Sequence, residues 1–208
     1  MITYYDIGLN LFTSSFPDPE KIISEAEAAG ICCILTGSEA AENEKVNDFV
    51  KTHAVYGTAG IHPHSADRAE EADLHRIGEI VSSNPKIVAV GECGLDYDRM
   101  YSSKENQLYY FKKLIALAEK LEKPLFLHQR DAEEDFLACF DGHEEICRRS
   151  VVHCYTGNRE MAEKLIGMGF YIGITGWICD ERRAGDLREA VKYIPLERIL
   201  LETCLLYT

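Results

Sequence analysis

Short apolar runs alternate along this chain with longer segments in which apolar residues recur at helical spacing. The runs predict eight strands, at residues 4–9, 31–36, 55–61, 87–91, 124–128, 150–153, 171–174 and 199–201. The intervening segments predict seven helices, at 19–29, 39–52, 71–83, 104–122, 132–140, 159–168 and 181–193. Repeated βα units of this kind are typical of a parallel sheet covered by helices.

The number of strands and helices predicts an α/β fold of the TIM type, a (β/α)8 barrel that lacks its final helix. An open doubly wound sheet explains the alternation equally well. However, candidate polar residues follow the third, fourth, fifth, sixth and eighth strands, and side chains from so many strands meet at one point only when the sheet closes. No Pro- or Gly-rich linker interrupts the pattern, so residues 1–208 are expected to form a single domain.

The net charge of −13 narrows the partners that the chain can be expected to bind. It disfavours broad electrostatic binding to a duplex, because that binding depends on Lys and Arg displacing counterions. It leaves open a small nucleic-acid site around a metal ion, since the ion supplies local positive charge. No apolar stretch approaches the roughly 20 residues of a membrane span, and no signal peptide is recognisable, so we expect no membrane contact and a cytoplasmic location. We also expect a monomer.

The eight cysteines do not change this picture. No CxxC pair is present, which disfavours a zinc ribbon. In a chain of this length without a signal peptide, the thiols are expected to stay reduced. Several of them lie in or beside apolar runs, where cysteine acts as a small hydrophobic residue.

Glu92, His128 and His153 each lie at or directly after the end of an apolar run. One carboxylate and two imidazoles suit a first-row divalent ion and leave coordination positions open for water and substrate. The carboxylate favours Mg²⁺ or Mn²⁺, whereas the histidines favour Zn²⁺. We take Mg²⁺ as the first choice, with Mn²⁺ and Zn²⁺ as alternatives, and a metal-dependent hydrolase as the leading hypothesis.

Other interpretations of these side chains stay open. Glu92 could be a buried acid paired with Arg130, and each histidine could be a hydrogen-bonded packing residue at a strand end. Gly91 and Gly94 flank the glutamate and are expected to let backbone and substrate approach closely, which favours the functional interpretation.

His62 and His64 follow the third strand, and Arg130 follows the fifth. The two histidines are candidates to bind a phosphate or to polarise a scissile bond, and Arg130 is a candidate to clamp a phosphate through two hydrogen bonds. The alternatives are that the histidines are turn residues and that Arg130 forms an ion pair with Asp131 or Glu134.

Two further groups lie near the predicted ends of the first and seventh strands. Asp6 and Asn10 are candidates for the mouth of the barrel, with Asp6 as a capping or supporting acid. Trp177 shares a loop with Arg182 and Arg183, a combination suited to stacking a base and holding its phosphate. Residues 181–183 are equally a good start for a helix.

Six motifs in chain order resemble those of a known family: Asp-Ile-Gly-x-Asn (6–10), Gly-Ile-His-Pro-His (60–64), Gly-Glu-Cys-Gly-Leu-Asp (91–96), Leu-His-x-Arg-Asp-Ala (127–132), Val-His-Cys-Tyr-Thr-Gly (152–157) and Tyr-Ile-Gly-Ile-Thr-Gly-Trp-Ile-Cys-Asp-Glu-Arg-Arg (171–183). On these motifs the chain resembles the TatD family of metal-dependent deoxyribonucleases, within the amidohydrolase-like barrel superfamily. The resemblance implies a (β/α)8 barrel and 3′ to 5′ exonuclease action on single-stranded DNA or RNA. It also implies that Glu92, His128 and His153 are metal ligands and that His62 and His64 lie beside the substrate phosphate.

The chain departs from the family pattern at two places. Many relatives have a His-x-His pair in the first strand, where this chain has Gly8 and Asn10, so a first-strand metal site is expected to be absent or weak. Cys204 stands where the family has an aspartate that orients or deprotonates the attacking water. A thiolate replaces such a carboxylate poorly, so impaired catalysis is expected.

These observations leave three hypotheses. The first is a divalent-metal phosphodiesterase in which His62, His64 and Arg130 neutralise charge on the phosphoryl oxygens. The second is a metal-dependent amidohydrolase that acts on a small molecule. The third is a catalytically impaired barrel that binds metal without turnover.

Overall fold

A computed structural model describes residues 2–13 and 16–203 of the protein. All eight predicted strands are present, and they form one parallel sheet in the order of the chain. Their bounds are β1 (Tyr4–Leu9), β2 (Ile31–Leu35), β3 (Tyr56–Ala59), β4 (Ile87–Asp96), β5 (Leu125–Arg130), β6 (Val151–Val152), β7 (Tyr171–Ile174) and β8 (Ile199–Leu201). Each strand pairs with the next, as the TIM barrel requires.

The helices lie between the strands. They are α1 (Pro19–Ala28), α2 (Ala40–Thr52), α3 (Glu71–Ser83), α4 (Lys104–Lys120), α5 (Glu133–Ala138), α6 (Glu144–Cys147), α7 (Arg159–Met168) and α8 (Gly185–Ala190). Ser103 caps the start of α4 by accepting a hydrogen bond from the backbone N–H of Asn106. Gly169 ends α7 with a φ of +101°, which favours glycine. In the described residues no helix is long and apolar enough to cross a membrane.

Part of the core packs between the barrel and the helices around it. Four of its largest side chains are fully buried phenylalanines from α4, α5 and the loops that follow α5 and α7, in the set Phe111, Phe136, Phe140 and Phe170. Their rings pack in contact, with centroids 5.5 Å apart for Phe111 and Phe136 and 5.0 Å apart for Phe140 and Phe170. Five of the seven cysteines in the described residues are buried, as expected of small hydrophobic residues.

The predicted helix at 181–193 is wrong in its first four residues, because α8 begins only at Gly185. Asp180 explains the difference: its Oδ1 accepts the backbone N–H of Arg182 at 3.0 Å, and its Oδ2 accepts from Arg183 Nε at 2.7 Å. These side-chain bonds compete with helical ones and hold a turn. Helix α6 was not predicted, because four residues are too few to show a period.

Strand β4 extends to Asp96, beyond its predicted end at residue 91. Gly94 permits the extension: it has a φ of +144°, and a Cβ there would lie 1.9 Å from the carbonyl oxygen of His128. Gly94 therefore lets the neighbouring strand come close, which is the backbone part of the expectation for this position. The consequence is that β4 and β5 stay paired as far as Asp96 and Arg130.

Side chains close the barrel between its first and last strands. The described residues contain no backbone ladder between β1 and β8. Instead, Asp6 accepts two hydrogen bonds from Thr203, from the backbone N–H to Oδ1 at 3.0 Å and from the hydroxyl to Oδ2 at 2.6 Å. Asp6 also accepts from the backbone N–H of Gly8. This acid, a candidate for the barrel mouth, thus joins the two edges of the sheet.

Candidate metal centre at the barrel mouth

Four side chains from four neighbouring strands, β3 to β6, or from the residues that follow them, meet at one end of the barrel. Glu92 lies within β4, His128 within β5, His153 directly after β6, and His62 after β3. The ends concerned are the carboxyl ends of the strands, where TIM-barrel enzymes have their active sites. Sequence reasoning thus identified side chains that the fold brings together.

A single carboxylate oxygen, Glu92 Oε1, lies at the centre of this group. It is 2.8 Å from His153 Nε2, 3.0 Å from His62 Nε2 and 3.1 Å from His128 Nδ1. Glu92 is almost fully buried, at 3% exposure. We call these four residues the Glu92 cluster.

The alternative in which Glu92 pairs with an arginine is wrong. Glu92 faces imidazoles, and Arg130 Nε pairs with Asp98 Oδ2 at 3.0 Å. Asp98 was not among the expected ion-pair partners of Arg130, because the loop that brings it near β5 leaves no periodic signal in the sequence.

Asp96 is a second buried acid beside the cluster, and the sequence did not single it out. Its Oδ2 lies 2.7 Å from His64 Nε2 and 3.2 Å from His128 Nε2. Its Oδ1 accepts the backbone N–H groups of Asp98 and Arg99. The only signal was its place in the motif at 91–96, two residues beyond Gly94.

Glu202 is a third buried acid and was likewise not singled out. Its Oε2 lies 3.1 Å from His153 Nδ1, and its Oε1 accepts the backbone N–H of Cys154. Its place directly after the last predicted strand was the available signal, since that is where barrel side chains enter the site.

Burial and mutual charge set the protonation of the cluster. Burial would raise the pKa of Glu92, but the facing imidazoles hold it well below its usual value. Burial would likewise lower the pKa of His153, but Glu92 and Glu202 raise it well above its usual value. His62 differs, because burial prevails and lowers its pKa to about 4, despite the opposing effect of Glu92. His62 is therefore neutral near pH 7.

The three imidazoles differ in the hydrogen-bond partner of the ring nitrogen that does not face Glu92. His128 and His153 have a carboxylate there, from Asp96 and Glu202 respectively. In His62 the second nitrogen, Nδ1, accepts the backbone N–H of His64 at 3.1 Å. A neutral His62 with an accepting Nδ1 carries its proton on Nε2, so it presents a hydrogen-bond donor to the site.

The residues present fit a divalent metal ion. Glu92 Oε1 lies 3.1 Å from His128 Nδ1 and 2.8 Å from His153 Nε2, so donor atoms of these three side chains face one point. One carboxylate with imidazoles is a common ligand set for first-row divalent ions, and a bound ion would displace the proton that the facing carboxylates hold on His153. Carboxylates behind the far nitrogens of His128 and His153 are the support that metal-binding histidines have in other proteins.

Basic and aromatic side chains line the cavity above the cluster, among them Arg99, Arg130 and Trp177. The guanidinium of Arg183 lies over the Trp177 ring at 4.3 Å. In the loop between β4 and α4, Tyr101 is 62% exposed and its ring centroid is 4.8 Å from that of His64. Flat side chains and positive charge therefore surround the opening.

The two departures from the family pattern have different outcomes. Gly8 faces the carboxylate of Glu202, since a Cβ at Gly8 would lie 2.3 Å from Glu202 Oε2, and Asn10 is buried nearby on the same strand end. Cys204, expected in place of an aspartate, lies outside the described residues.

A parallel eight-stranded barrel with a buried carboxylate and imidazoles at its carboxyl end defines the class of barrel hydrolases that work with a divalent metal. The chain belongs to the TatD-related DNase family, whose model matches residues 5–204. It is therefore a hydrolase of the nuclease type, and the resemblance seen in the motifs is confirmed.

Individual relatives agree with this assignment. The chain is 44% identical over 206 residues to the 3′-5′ ssDNA/RNA exonuclease TatD of Erwinia amylovora, with 96% of this chain and 78% of the relative covered. Among solved structures, it superposes on a TatD homologue from Escherichia coli with a TM-score of 0.86 at 25% identity, covering 97% of this chain and 78% of that one. A TatD-family hydrolase from Entamoeba histolytica gives a TM-score of 0.84 at 28% identity, covering 98% and 74%.

Proposed function

We propose that the protein is a divalent-metal-dependent exonuclease that removes nucleotides from the 3′ end of single-stranded DNA or RNA. The observation that carries the proposal is the Glu92 cluster, in which three imidazole nitrogens lie within 3.1 Å of one buried carboxylate oxygen. The relatives named as 3′-5′ ssDNA/RNA exonucleases support the polarity and the substrate.

We assign Glu92, His128 and His153 as the metal ligands. Each of the two histidines directs one nitrogen toward Glu92 and has a carboxylate on the other, which favours a nitrogen lone pair directed toward an ion. Mg²⁺ is our first choice, and Mn²⁺ and Zn²⁺ are the alternatives. A bound divalent ion would supply Lewis-acid polarisation of the phosphodiester and a lowered pKa for the attacking water.

We assign His62 a different role, that of a hydrogen-bond donor to the substrate phosphate. Its Nδ1 is occupied by the backbone N–H of His64, so Nε2 carries the proton and has no lone pair for a metal. A neutral donor near a phosphoryl oxygen stabilises the negative charge that builds up there.

His64 and Arg130 complete the proposed phosphate-binding groups. Arg130 lines the same cavity as His62 and His64 and presents a planar guanidinium, which matches phosphate oxygens. Trp177 and Tyr101 offer faces on which bases at the 3′ end can stack. Stacking requires unpaired bases, which agrees with a single-stranded substrate.

We further propose that residues 1–208 form a single domain and that the protein acts as a monomer. The continuous sheet from β1 to β8 supports one domain. The cytoplasmic location expected from the sequence stays a prediction.

Nuclease activity is tested on metal-free protein to which Mg²⁺, Mn²⁺ or Zn²⁺ is added back. With a 5′-labelled single-stranded oligonucleotide, we expect a ladder of products that shorten from the 3′ end, and no products in EDTA. Glu92→Ala and His153→Ala should abolish the ladder. His75→Ala is the matched control, because His75 is an exposed histidine with 79% side-chain exposure.

Three results would contradict the proposal. Equal activity of His153→Ala and the wild-type protein would show that the assignment of the active site to the Glu92 cluster is wrong. Hydrolysis of simple amides or lactones without any action on the oligonucleotide would favour a small-molecule amidohydrolase. Tight metal binding without turnover of either substrate would favour an impaired barrel.

A further inference from the structure

We propose that Glu202 is a positioning residue that holds His153 in the orientation needed for metal binding. The inference rests on the proposed metal site and adds to it a residue outside the ligand set. Its basis is the contact between Glu202 Oε2 and His153 Nδ1, at 3.1 Å.

The carboxylate of Glu202 is fully used and fully enclosed. One oxygen faces the imidazole of His153, and the other accepts the backbone N–H of Cys154, the next residue in the chain. The side chain has 0% exposure, so substrate does not reach it. Both oxygens therefore act on the segment that carries His153, and neither is directed into the cavity.

Two glycines on different strands provide the space for this carboxylate. A Cβ at Gly8 on β1 would lie 2.3 Å from Glu202 Oε2, and a Cβ at Gly173 on β7 would lie 2.4 Å from Glu202 Oε1. Neither distance is compatible with a side chain while Glu202 keeps its place. The barrel thus leaves at this point a recess that fits one carboxylate.

The backbone on both sides of Glu202 is held as well. Its own N–H donates to the carbonyl of Ile174 at 3.1 Å, and Thr203 is bound to Asp6. On the other side of the contact, the ring of Phe126 lies against His153 with centroids 4.4 Å apart. With one ring face and the far nitrogen fixed, Nε2 of His153 is directed toward Glu92.

A carboxylate on the far nitrogen of a metal-binding histidine fixes its tautomer and raises its basicity, and loss of such a partner typically costs roughly 10- to 100-fold in metal affinity or activity. Glu202→Gln keeps the size of the side chain. Its amide can accept from only one of the two donors, His153 Nδ1 or the Cys154 N–H, because its nitrogen is itself a donor. The variant should therefore bind metal more weakly in a folded barrel.

The test measures Mn²⁺ affinity by calorimetry for the wild-type protein and three variants. We expect Glu202→Gln to weaken Mn²⁺ binding by roughly 10- to 100-fold. Gly8→Ala, which keeps the glutamate but occupies its recess, should weaken binding in the same direction. Arg76→Ala, which removes the ion pair between α3 and α2 and touches none of the residues named above, should lower Tm and leave Mn²⁺ affinity unchanged.

A metal-free measurement separates this proposal from the proposed function. In the NMR spectrum of the apo protein, the Nδ1 proton of His153 should give a slowly exchanging low-field signal that Glu202→Gln moves upfield or removes, because an amide oxygen is a weaker acceptor than a carboxylate. If the wild-type protein binds no divalent ion, the proposed function fails, while this signal still reports the contact. A folded Glu202→Gln protein with wild-type Mn²⁺ affinity, or with an unchanged signal, would overturn the positioning role.

Discussion

At the scale of single residues, the three histidines of the Glu92 cluster differ in the partner of the ring nitrogen that does not face Glu92. His62, His128 and His153 all direct one nitrogen to Glu92 Oε1, and by that criterion they are equivalent. Their other nitrogens face a backbone N–H, Asp96 and Glu202, respectively. Since an accepting nitrogen and a donating nitrogen leave opposite tautomers, the three rings are suited to two different tasks.

This difference predicts a split between two variants. His62→Ala should lower kcat by roughly 10²- to 10³-fold, the usual cost of losing one donor to a developing oxyanion. It should leave Mn²⁺ affinity near the wild-type value, whereas His128→Ala should lower that affinity by more than roughly 10-fold. Steady-state kinetics and calorimetry on the same preparations measure both quantities. Loss of Mn²⁺ binding in His62→Ala would contradict this prediction and would indicate that His62 is a metal ligand.

The sequence predicted the centre of the site better than its surroundings. Glu92, His128 and His153 were identifiable because a polar residue at the end of an apolar run stands out against its neighbours. Asp96 and Glu202 are also buried, but Asp96 lies five residues beyond the predicted end of its strand, and Glu202 follows an apolar run of only three residues. Their roles depend on contacts across 32 and 49 residues of sequence, which no local pattern records.

At the scale of the element, the two halves of β4 have different roles. Its first half lies in the barrel wall, and its second half, from Glu92 to Asp96, carries two acids of the site. The second half stays beside β5 only because Gly94 lets the two backbones approach. The geometry of the site therefore depends on a position without a side chain.

Gly94→Ala should destabilise the protein by about 3 kcal/mol, because it adds a steric conflict with the His128 carbonyl to the strain of a positive φ. Gly142→Ala is the matched control: Gly142 has a φ of +81° but nothing within 4 Å of an added Cβ, so its cost should be about 1 kcal/mol. Urea unfolding gives both free energies. Equal losses of unfolding free energy in the two variants would contradict the prediction, because they would mean that strand β5 moves away from the added methyl group at no energetic cost.

Elements with a clear period were predicted well, and those controlled by side-chain bonds were not. Helix α3 and strands β1, β7 and β8 have the bounds that the pattern predicts. The segment at 181–193 fails because Asp180 holds its first residues in a turn, an outcome set by two hydrogen bonds rather than by propensity.

At the scale of the whole molecule, the charge of −13 contrasts with the arginines at the cavity. Only a few phosphates can be contacted by positive side chains, since the rest of the surface repels a polyanion. Binding should therefore involve only a few nucleotides at the 3′ end, and the affinity should not increase with the length of the strand.

The expected signature is a weak dependence of binding on salt. With phosphate contacts from Arg99 and Arg130, the slope of log K against log salt should be about −1 to −2 for a single strand. Fluorescence anisotropy with a labelled oligonucleotide in EDTA measures it without turnover. A slope steeper than about −5 would indicate an extended basic surface, and a duplex of equal length should bind too weakly to detect.

The side-chain contacts that join β1 to the end of β8, which we call the seam, affect when the site can form during synthesis of the chain. Asp6 and Thr203 are separated by 197 residues, and Glu202 reaches its recess beside Gly8 only when that seam is formed. On a ribosome, the first seven strands emerge before the residue that steadies His153. Contacts this distant in sequence carry a large loop-closure cost, which slows their formation. A nascent chain should therefore bind the metal more weakly until β8 joins β1.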